Sequence, residues 1–382
     1  MSRRLEEMVE ELHQRDLKPI PVEEIKGFLE NDDVSLLLKR EYDPRAGEDP
    51  LRTVKRKPAS FILQDAFERG SLKEGRVAIS ASSGNFAREL AVKANRLGFR
   101  VIAVAPPRVP DESVAVLRAL GVDVVKVEEG FDVCPRETTV FLARALAERH
   151  RLVLTNLDQY NSWQNVLSHL AMTWPEILEQ TGGDLDYIAV ALGSTGTFMG
   201  LTLGQTSSRA RVEIVGVQPP LVHHVPGIQH IVGGCEWSPE IYSPLFAKEI
   251  MTIDDVEAYA SLVELWERGF KVGPSTAIGA ACARRLSQRL KEGRILTLSA
   301  DSSFPYHTHV RAFLEGHKRE ILERYPHLEE PLEGCLNALS GAESLEERLH
   351  RIKEAYRPRR EGQFCSAEDL DDERLSQLVK AS

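Results

Sequence analysis

A chain of 382 residues suffices for two or three domains and a large buried core, so neither disulfides nor a structural metal are needed to fold it. Its 42% hydrophobic and 28% charged residues exclude a disordered or collagen-like chain. Lys plus Arg is 48 against 58 Asp plus Glu, a formal charge of −10, which lacks the basic footprint of a nucleic-acid-binding protein.

In chain order, Glu41–Arg52 is rich in Pro, Gly and charge and reads as a loop ahead of Lys55. Pro58 then begins a helix-like run ending at Gly70. From residue 76 to about 301 short apolar runs alternate with amphipathic stretches. Strands are predicted at Arg76–Ala81, Val101–Ala105, Val122–Val127, Leu152–Thr155, Tyr187–Leu192, Val212–Val217 and Ile295–Ser299. Helices are predicted over Phe86–Leu97, Glu112–Leu120, Arg136–Arg149 and Trp163–Gln180. Apolar strands without alternation, separated by helices, indicate parallel sheets covered on both faces. The expected fold is α/β, with two open twisted sheets flanked by helices. From Phe313 the strand pattern stops; Glu343–Tyr356 and Ala367–Lys380 read as charged amphipathic helices of a C-terminal extension.

The five cysteines (Cys134, Cys235, Cys282, Cys335 and Cys365) are odd in number and never spaced CxxC, which argues against a disulfide framework or a zinc site. The start, MSRRLEEM, has no apolar h-region, and no apolar run approaches the ~18 residues of a membrane span. A soluble, cytoplasmic protein is expected, with no metal, nucleic-acid or membrane partner.

Four places can carry chemistry. Ser82-Ser83-Gly84-Asn85 sits where a strand ends and a helix begins; small hydroxylated residues there serve either as an anion site or as a plain helix cap. Gly193-Ser194-Thr195-Gly196-Thr197 follows an apolar strand and has the make-up of a phosphate cradle, although such a turn also occurs without a ligand. Its spacing is neither a P-loop nor GxGxxG. Lys55 lies in the basic run Arg52–Lys57 and is either solvated surface or a desolvated amine able to form an imine. Gly273-Pro274-Ser275-Thr276-Ala277 opens a further helix, as a cap or as a site.

Taken together these four resemble the cysteine synthase and cystathionine β-synthase group of pyridoxal 5′-phosphate (PLP) enzymes, the fold-type II class with a tryptophan synthase β-like fold. Thr53-Val54-Lys55-Arg56-Lys57 resembles the family's S-V-K-D-R, with Asp65, Ala66 and Gly70 at the family spacing. Ser82–Phe86 resembles T-S-G-N-T, Gly193–Thr197 resembles G-T-G-G-T, and Gly273–Ala277 resembles G-x-S-S-G-A. Gln159-Tyr160 through Asn165, His169 and Pro175-Glu176-Ile177, and Ser299–Ser302 with Tyr306, follow further family motifs. The resemblance covers roughly residues 18 to 312. It implies a smaller α/β domain over 60–158, a larger one formed by 1–59 and 159–314, and a helical extension over 315–382.

The resemblance also implies roles. Lys55 would form the internal aldimine and move the α-proton, Asn85 would bond the cofactor's 3′ oxygen, and Gly193, Ser194, Thr195, Gly196 and Thr197 would hold its phosphate. Ser275 would face the pyridine nitrogen; a hydroxyl there leaves the ring a weaker electron sink, suited to quick loss of a β-substituent. Ser82, Ser83, Gly84 and Gln159 would hold the substrate carboxylate. The implied activity is β-replacement on an activated serine or cysteine through an aminoacrylate, in a homodimer, with an amino acid and a second small nucleophile as substrates. Simple β-elimination and a non-catalytic partner protein are the alternatives. Three departures bear on that choice: Arg56-Lys57 replaces Asp-Arg, Phe86 replaces Thr, and Ile228-Gln229-His230-Ile231-Val232 replaces I-Q-G-I-G. His230 therefore either lines the second-substrate channel or has moved to the surface.

Overall fold

The computed structural model describes residues 19–42, 51–107, 109–127, 135–232, 237–367, 370, 371 and 375. In chain order it places β1 at Val22–Ile25, β2 at Val34–Arg40, α1 at Arg56–Glu68, β3 at Val77–Ala81, α2 at Asn85–Leu97, β4 at Arg100–Ala105, α3 at Asp111–Ala119, β5 at Asp123–Lys126 and α4 at Pro135–Arg149. Next come β6 at Leu154–Asn156, α5 at Trp163–Ser168, a π-helical turn at His169–Thr173, α6 at Trp174–Thr181, β7 at Tyr187–Ala191, α7 at Gly196–Ser208, β8 at Glu213–Gln218 and β9 at Glu249–Thr252. The remainder is α8 at Asp255–Glu267, α9 at Pro274–Ser287, β10 at Gly293–Ser299, α10 at His307–Arg324, α11 at Glu329–Ser340, α12 at Leu345–Tyr356 and β11 at Phe364–Cys365.

The chain divides into two compact units, one of residues 1–18, 55–165 and 343–382, the other of 19–54 and 166–342. In the first unit five parallel strands run in the order β11-β5-β4-β3-β6. Val77–Ala81 and Arg100–Ala105 are buried at every position, as continuous apolar runs in a two-sided parallel sheet must be. The sheet of the second unit has the order β1-β2-β10-β7-β8-β9; only the β1–β2 pair is antiparallel. Alternate residues feed cores on its two faces. Leu36, Leu38, Ala189, Val215 and Ile295 pack with α8 and α9, whereas Leu37, Ile188, Val190, Ile214 and Leu296 pack with α6 and α7.

Two features depart from the sequence reading. The helix predicted over Trp163–Gln180 is three segments, with π geometry at His169–Thr173. Strands β1, β2, β9 and β11 carry no predicted counterpart. Of the C-terminal extension, α10 and α11 pack on α8 in the second unit. α12 belongs to the first unit, opened by a capping box between Ser344 and Glu347 and anchored by the buried Arg348–Glu112 pair. It is followed by the short strand β11, which lengthens the sheet at β5. Of the helix expected over Ala367–Lys380, only Ala367, Leu370, Asp371 and Leu375 are among the described residues, as are only Glu41, Tyr42, Leu51 and Arg52 of the expected loop at Glu41–Arg52. No helix among the described residues is long and apolar enough to cross a membrane.

Candidate active site

In each unit several candidate residues lie at the carboxyl ends of neighbouring parallel strands, where open α/β sheets offer loops and helix N-termini to ligands. In the first unit Ser82–Asn85 follows β3 and Gln159 follows β6, its direct neighbour. Ser80 Oγ donates to the Leu157 carbonyl at 2.7 Å and Leu157 N donates to Ile79 O at 2.8 Å, which fixes the two strand ends. The α2 N-cap is Gly84, without a side-chain cap; Ser82 Oγ instead accepts from Ala87 N at 3.2 Å. The capping alternative thus holds for Ser82 in modified form and not for Ser83, whose half-buried hydroxyl has no hydrogen-bond partner among the described residues. Gln159 is 4% exposed, and its side-chain amide likewise has no hydrogen-bond partner there.

Lys55 is the N-cap of α1 and is half-buried, while Arg56 and Lys57 are buried. The basic run is therefore not a solvated surface patch. Arg56 Nε lies 3.9 Å from the buried Glu89 of α2. Asn85, first residue of α2, accepts on Oδ1 from the Arg88 guanidinium.

In the second unit the Gly193–Thr197 turn follows β7, the loop 219–232 follows β8, and Ser299, the last residue of β10, leads into Ala300 and Asp301. Thr195 is held at φ 65°, a left-handed conformation that costs a β-branched residue about 1–2 kcal/mol. It makes the turn into α7, whose first turn has neither an acidic residue nor a side-chain cap. The Thr195 hydroxyl is buried and has no hydrogen-bond partner among the described residues. A Cβ on Gly193 would stand 2.7 Å from the Gly227 carbonyl oxygen, so only glycine fits between the two loops. A strained turn, uncapped helix N–H groups and an orphaned hydroxyl suit a phosphate, which accepts from all of them.

His169 was legible only as a family match, but it has a clear task. Its ring bonds Thr173 Oγ1 at 2.9 Å and Thr197 Oγ1 at 3.1 Å, steadying the last residue of the cradle. The π turn brings it there, and Gly200 allows the approach, since a Cβ at that position would lie 2.6 Å from His169 Cβ. Gln218 was missed altogether. From the end of β8 its Oε1 accepts from Ile231 N and Val232 N, both at 3.0 Å, and so shapes the loop that carries His230.

His230 is half-buried, and its Nδ1 lies 2.8 Å from the Pro219 carbonyl oxygen. A carbonyl only accepts, so Nδ1 carries a proton and Nε2 is the basic nitrogen of the neutral ring. The neighbouring Gln229 donates from N to Leu192 O at 2.7 Å and from Nε2 to Gly193 O at 3.0 Å. His230 thus stands, half-buried, on a loop stitched to the cradle.

The α9 N-cap is Gly273, again without a side-chain cap. Ser275 therefore does not cap the helix; it is buried in the first turn with no hydrogen-bond partner among the described residues. Thr276 Oγ1 bonds Ser299 Oγ at 3.2 Å, and Tyr42 bonds Ser299 in turn. Burial pushes the Tyr42 phenol up to about 12, against the pull of the Arg40 guanidinium. Tyr306 donates to Asp301 Oδ2 at 2.5 Å, bracing the loop beside Gly273. Burial likewise pushes the Cys282 thiol up to about 12, which makes it a poor nucleophile.

Within the second unit, the phosphate cradle and the serine at the start of α9 are two parts that a pyridoxal-phosphate site needs; in the first unit a half-buried lysine caps α1. The family model described as "Pyridoxal-phosphate dependent enzyme" matches residues 14–301, and the chain belongs to that family. Among its relatives, Cysteine synthase B of Escherichia coli is 31% identical over 263 residues, covering 68% of this chain and 84% of the relative. Cystathionine beta-synthase of Oryctolagus cuniculus is 29% identical over 287 residues, covering 70% of this chain and 50% of the relative. The crystal structure of an O-acetylserine dependent cystathionine beta-synthase from Helicobacter pylori superposes with a TM-score of 0.67 at 22% identity, over 77% of this chain and 96% of that one. The fold is that of the fold-type II PLP enzymes, and PLP is the cofactor.

Proposed function

We propose that this chain catalyses β-replacement, exchanging the β-substituent of an activated serine or cysteine for a second small nucleophile, as a cysteine synthase does. The observation that carries the reading is the cradle, with its strained Thr195, orphaned hydroxyl and uncapped α7 N-terminus. It is supported by the 31% identity to a cysteine synthase.

In this reading Lys55, Asn85, Gly193–Thr197 and Ser275 hold the cofactor, and Ser82, Ser83, Gly84, Gln159 and His230 serve the substrates. Bound PLP supplies an electron sink conjugated to the substrate Cα, which loosens the Cα–H bond and lets the β-substituent leave. Lys55 Nζ anchors the cofactor and carries the proton to and from Cα. The Gln159 amide and the half-buried Ser83 hydroxyl take the α-carboxylate, aided by the positive end of α2. Ser275, neutral at every working pH, offers the ring nitrogen a hydroxyl and no charge. That favours expulsion of a leaving group over long-lived carbanions.

The substrates are small molecules; a homodimer in the cytoplasm, without nucleic-acid or membrane partners, completes the proposal. The test is to mix the loaded protein with O-acetylserine, O-phosphoserine or cysteine, with and without a thiol, and to follow both the spectrum and the products. A new β-substituted amino acid supports replacement. Pyruvate and ammonia alone, with or without the thiol, mark a β-eliminating enzyme instead. No spectral change with any donor would leave a partner protein.

A further inference from the structure

We propose that Arg88 is a positioning residue that sets which end of the Asn85 amide is offered to the cofactor; the inference rests on the reading of Asn85 as a cofactor ligand. Asn85 opens α2 and Arg88 lies three residues on, so the two side chains share a face of the first turn. The Arg88 guanidinium donates to Asn85 Oδ1. A guanidinium has donors only, so the atom it meets must be the carbonyl oxygen of the amide, and the NH2 group is turned the other way. Arg88 is 6% exposed, which shields the contact from competing water.

The placement is unfavourable for the helix by itself. The first turn carries the positive end of the macrodipole, where carboxylates belong and cations do not. α2 has no acidic residue in that turn, and α1, which begins on Lys55, has none either and opens with Arg56 and Lys57, both buried. α1 and α2, two of the four helices that open on candidate site residues, therefore break the same local rule. Such breaches concentrate where function outweighs local stability. Oriented by Arg88, the Asn85 amide presents a donor to an anionic oxygen of the cofactor, and the nearby charge strengthens the positive field there.

The test is a double-mutant cycle read by equilibrium dialysis of PLP and by the position of the visible absorption band. Asn85→Ala and Arg88→Met should each weaken PLP binding about 10-fold, the worth of one charge-assisted hydrogen bond, and shift the band alike. The double variant should bind no more weakly than Asn85→Ala alone, because the two changes remove one interaction. Arg88→Lys, which can only donate, should stay within about 3-fold of wild type. Arg88→Gln keeps a polar stem but can meet the amide either way up, and should behave like Arg88→Met. If Arg88→Met lowers the apoprotein Tm below the assay temperature, Arg88→Gln takes its place in the cycle. Additive losses of about 100-fold in the double variant, or wild-type binding by the Arg88 variant beside a weakened Asn85→Ala, would overturn the proposal alone. Wild-type binding by Asn85→Ala would remove the reading of Asn85 and the proposal with it.

Discussion

Replacing Thr195 by Val separates two demands on the cradle. The hydroxyl is buried without a hydrogen-bond partner among the described residues, while the side chain sits at φ 65°. An unmade buried hydrogen bond costs about 1–3 kcal/mol in the apoprotein. Val keeps the branched shape and the backbone strain but removes the orphaned oxygen, so Thr195→Val should stabilise the apoprotein by about 1–2 kcal/mol, or ~1–3 °C in Tm. In the loaded protein the same change deletes a hydrogen bond to a charged phosphate, worth about 1.5–3 kcal/mol, so PLP affinity should fall roughly 10- to 100-fold. Thermal unfolding with and without PLP, together with equilibrium dialysis, reads both effects. Opposite signs are the signature of an atom kept for a ligand. A lower apoprotein Tm with unchanged PLP affinity would show that the hydroxyl serves the fold, and the argument from its orphaned state would fail.

Three further outcomes follow from the same geometry. Ser275→Asp should shift the visible band and slow turnover by placing a charge at the ring nitrogen, whereas Ser275→Ala should cost only about 0.5–1.5 kcal/mol for one neutral hydrogen bond; identical spectra and rates for both would mean that Ser275 does not face the ring. His230→Gly should leave loss of the β-substituent nearly intact while slowing addition of the nucleophile by roughly 100-fold; stopped-flow measurement of the two half-reactions checks it, and equal effects on both would remove His230 from proton transfer. Burial holds Tyr42 protonated in the folded state up to about 12, while the unfolded phenol titrates near 10, so raising the pH between those values should destabilise the fold by about 2–3 kcal/mol; urea unfolding at pH 9 and pH 11 should show a smaller loss for Tyr42→Phe than for wild type.

The strand–helix alternation between residues 76 and 301 was readable because Val77–Ala81 and Arg100–Ala105 are buried on both faces and so are mainly apolar, with only Ser80 and the opening Arg100 polar. β2 escaped because its register depends on a partner far away in sequence, β10, and because Lys39 looks like a surface residue. It is in fact fully buried, bonded to Glu176 at 2.9 Å and to the Ile20 carbonyl at 2.7 Å. β9 is a four-residue edge strand, too short for a periodic signal. The π turn at His169–Thr173 leaves the apolar period almost unchanged, so Trp163–Gln180 read as one helix. At the site, the Gly- and Ser-rich turns announced themselves by residue type. The contacts that orient them did not, because Arg88 on Asn85 and Gln218 under Val232 are ordinary polar residues until the backbone brings them together.

Borohydride reduction of the PLP-loaded protein, followed by digestion and mass spectrometry, tests the central assignment most directly. The reduced cofactor should be found on Lys55, the half-buried N-cap of α1, and Lys55→Ala should retain none. Cofactor fixed on Lys57 or any other lysine, or on no lysine at all, would contradict it.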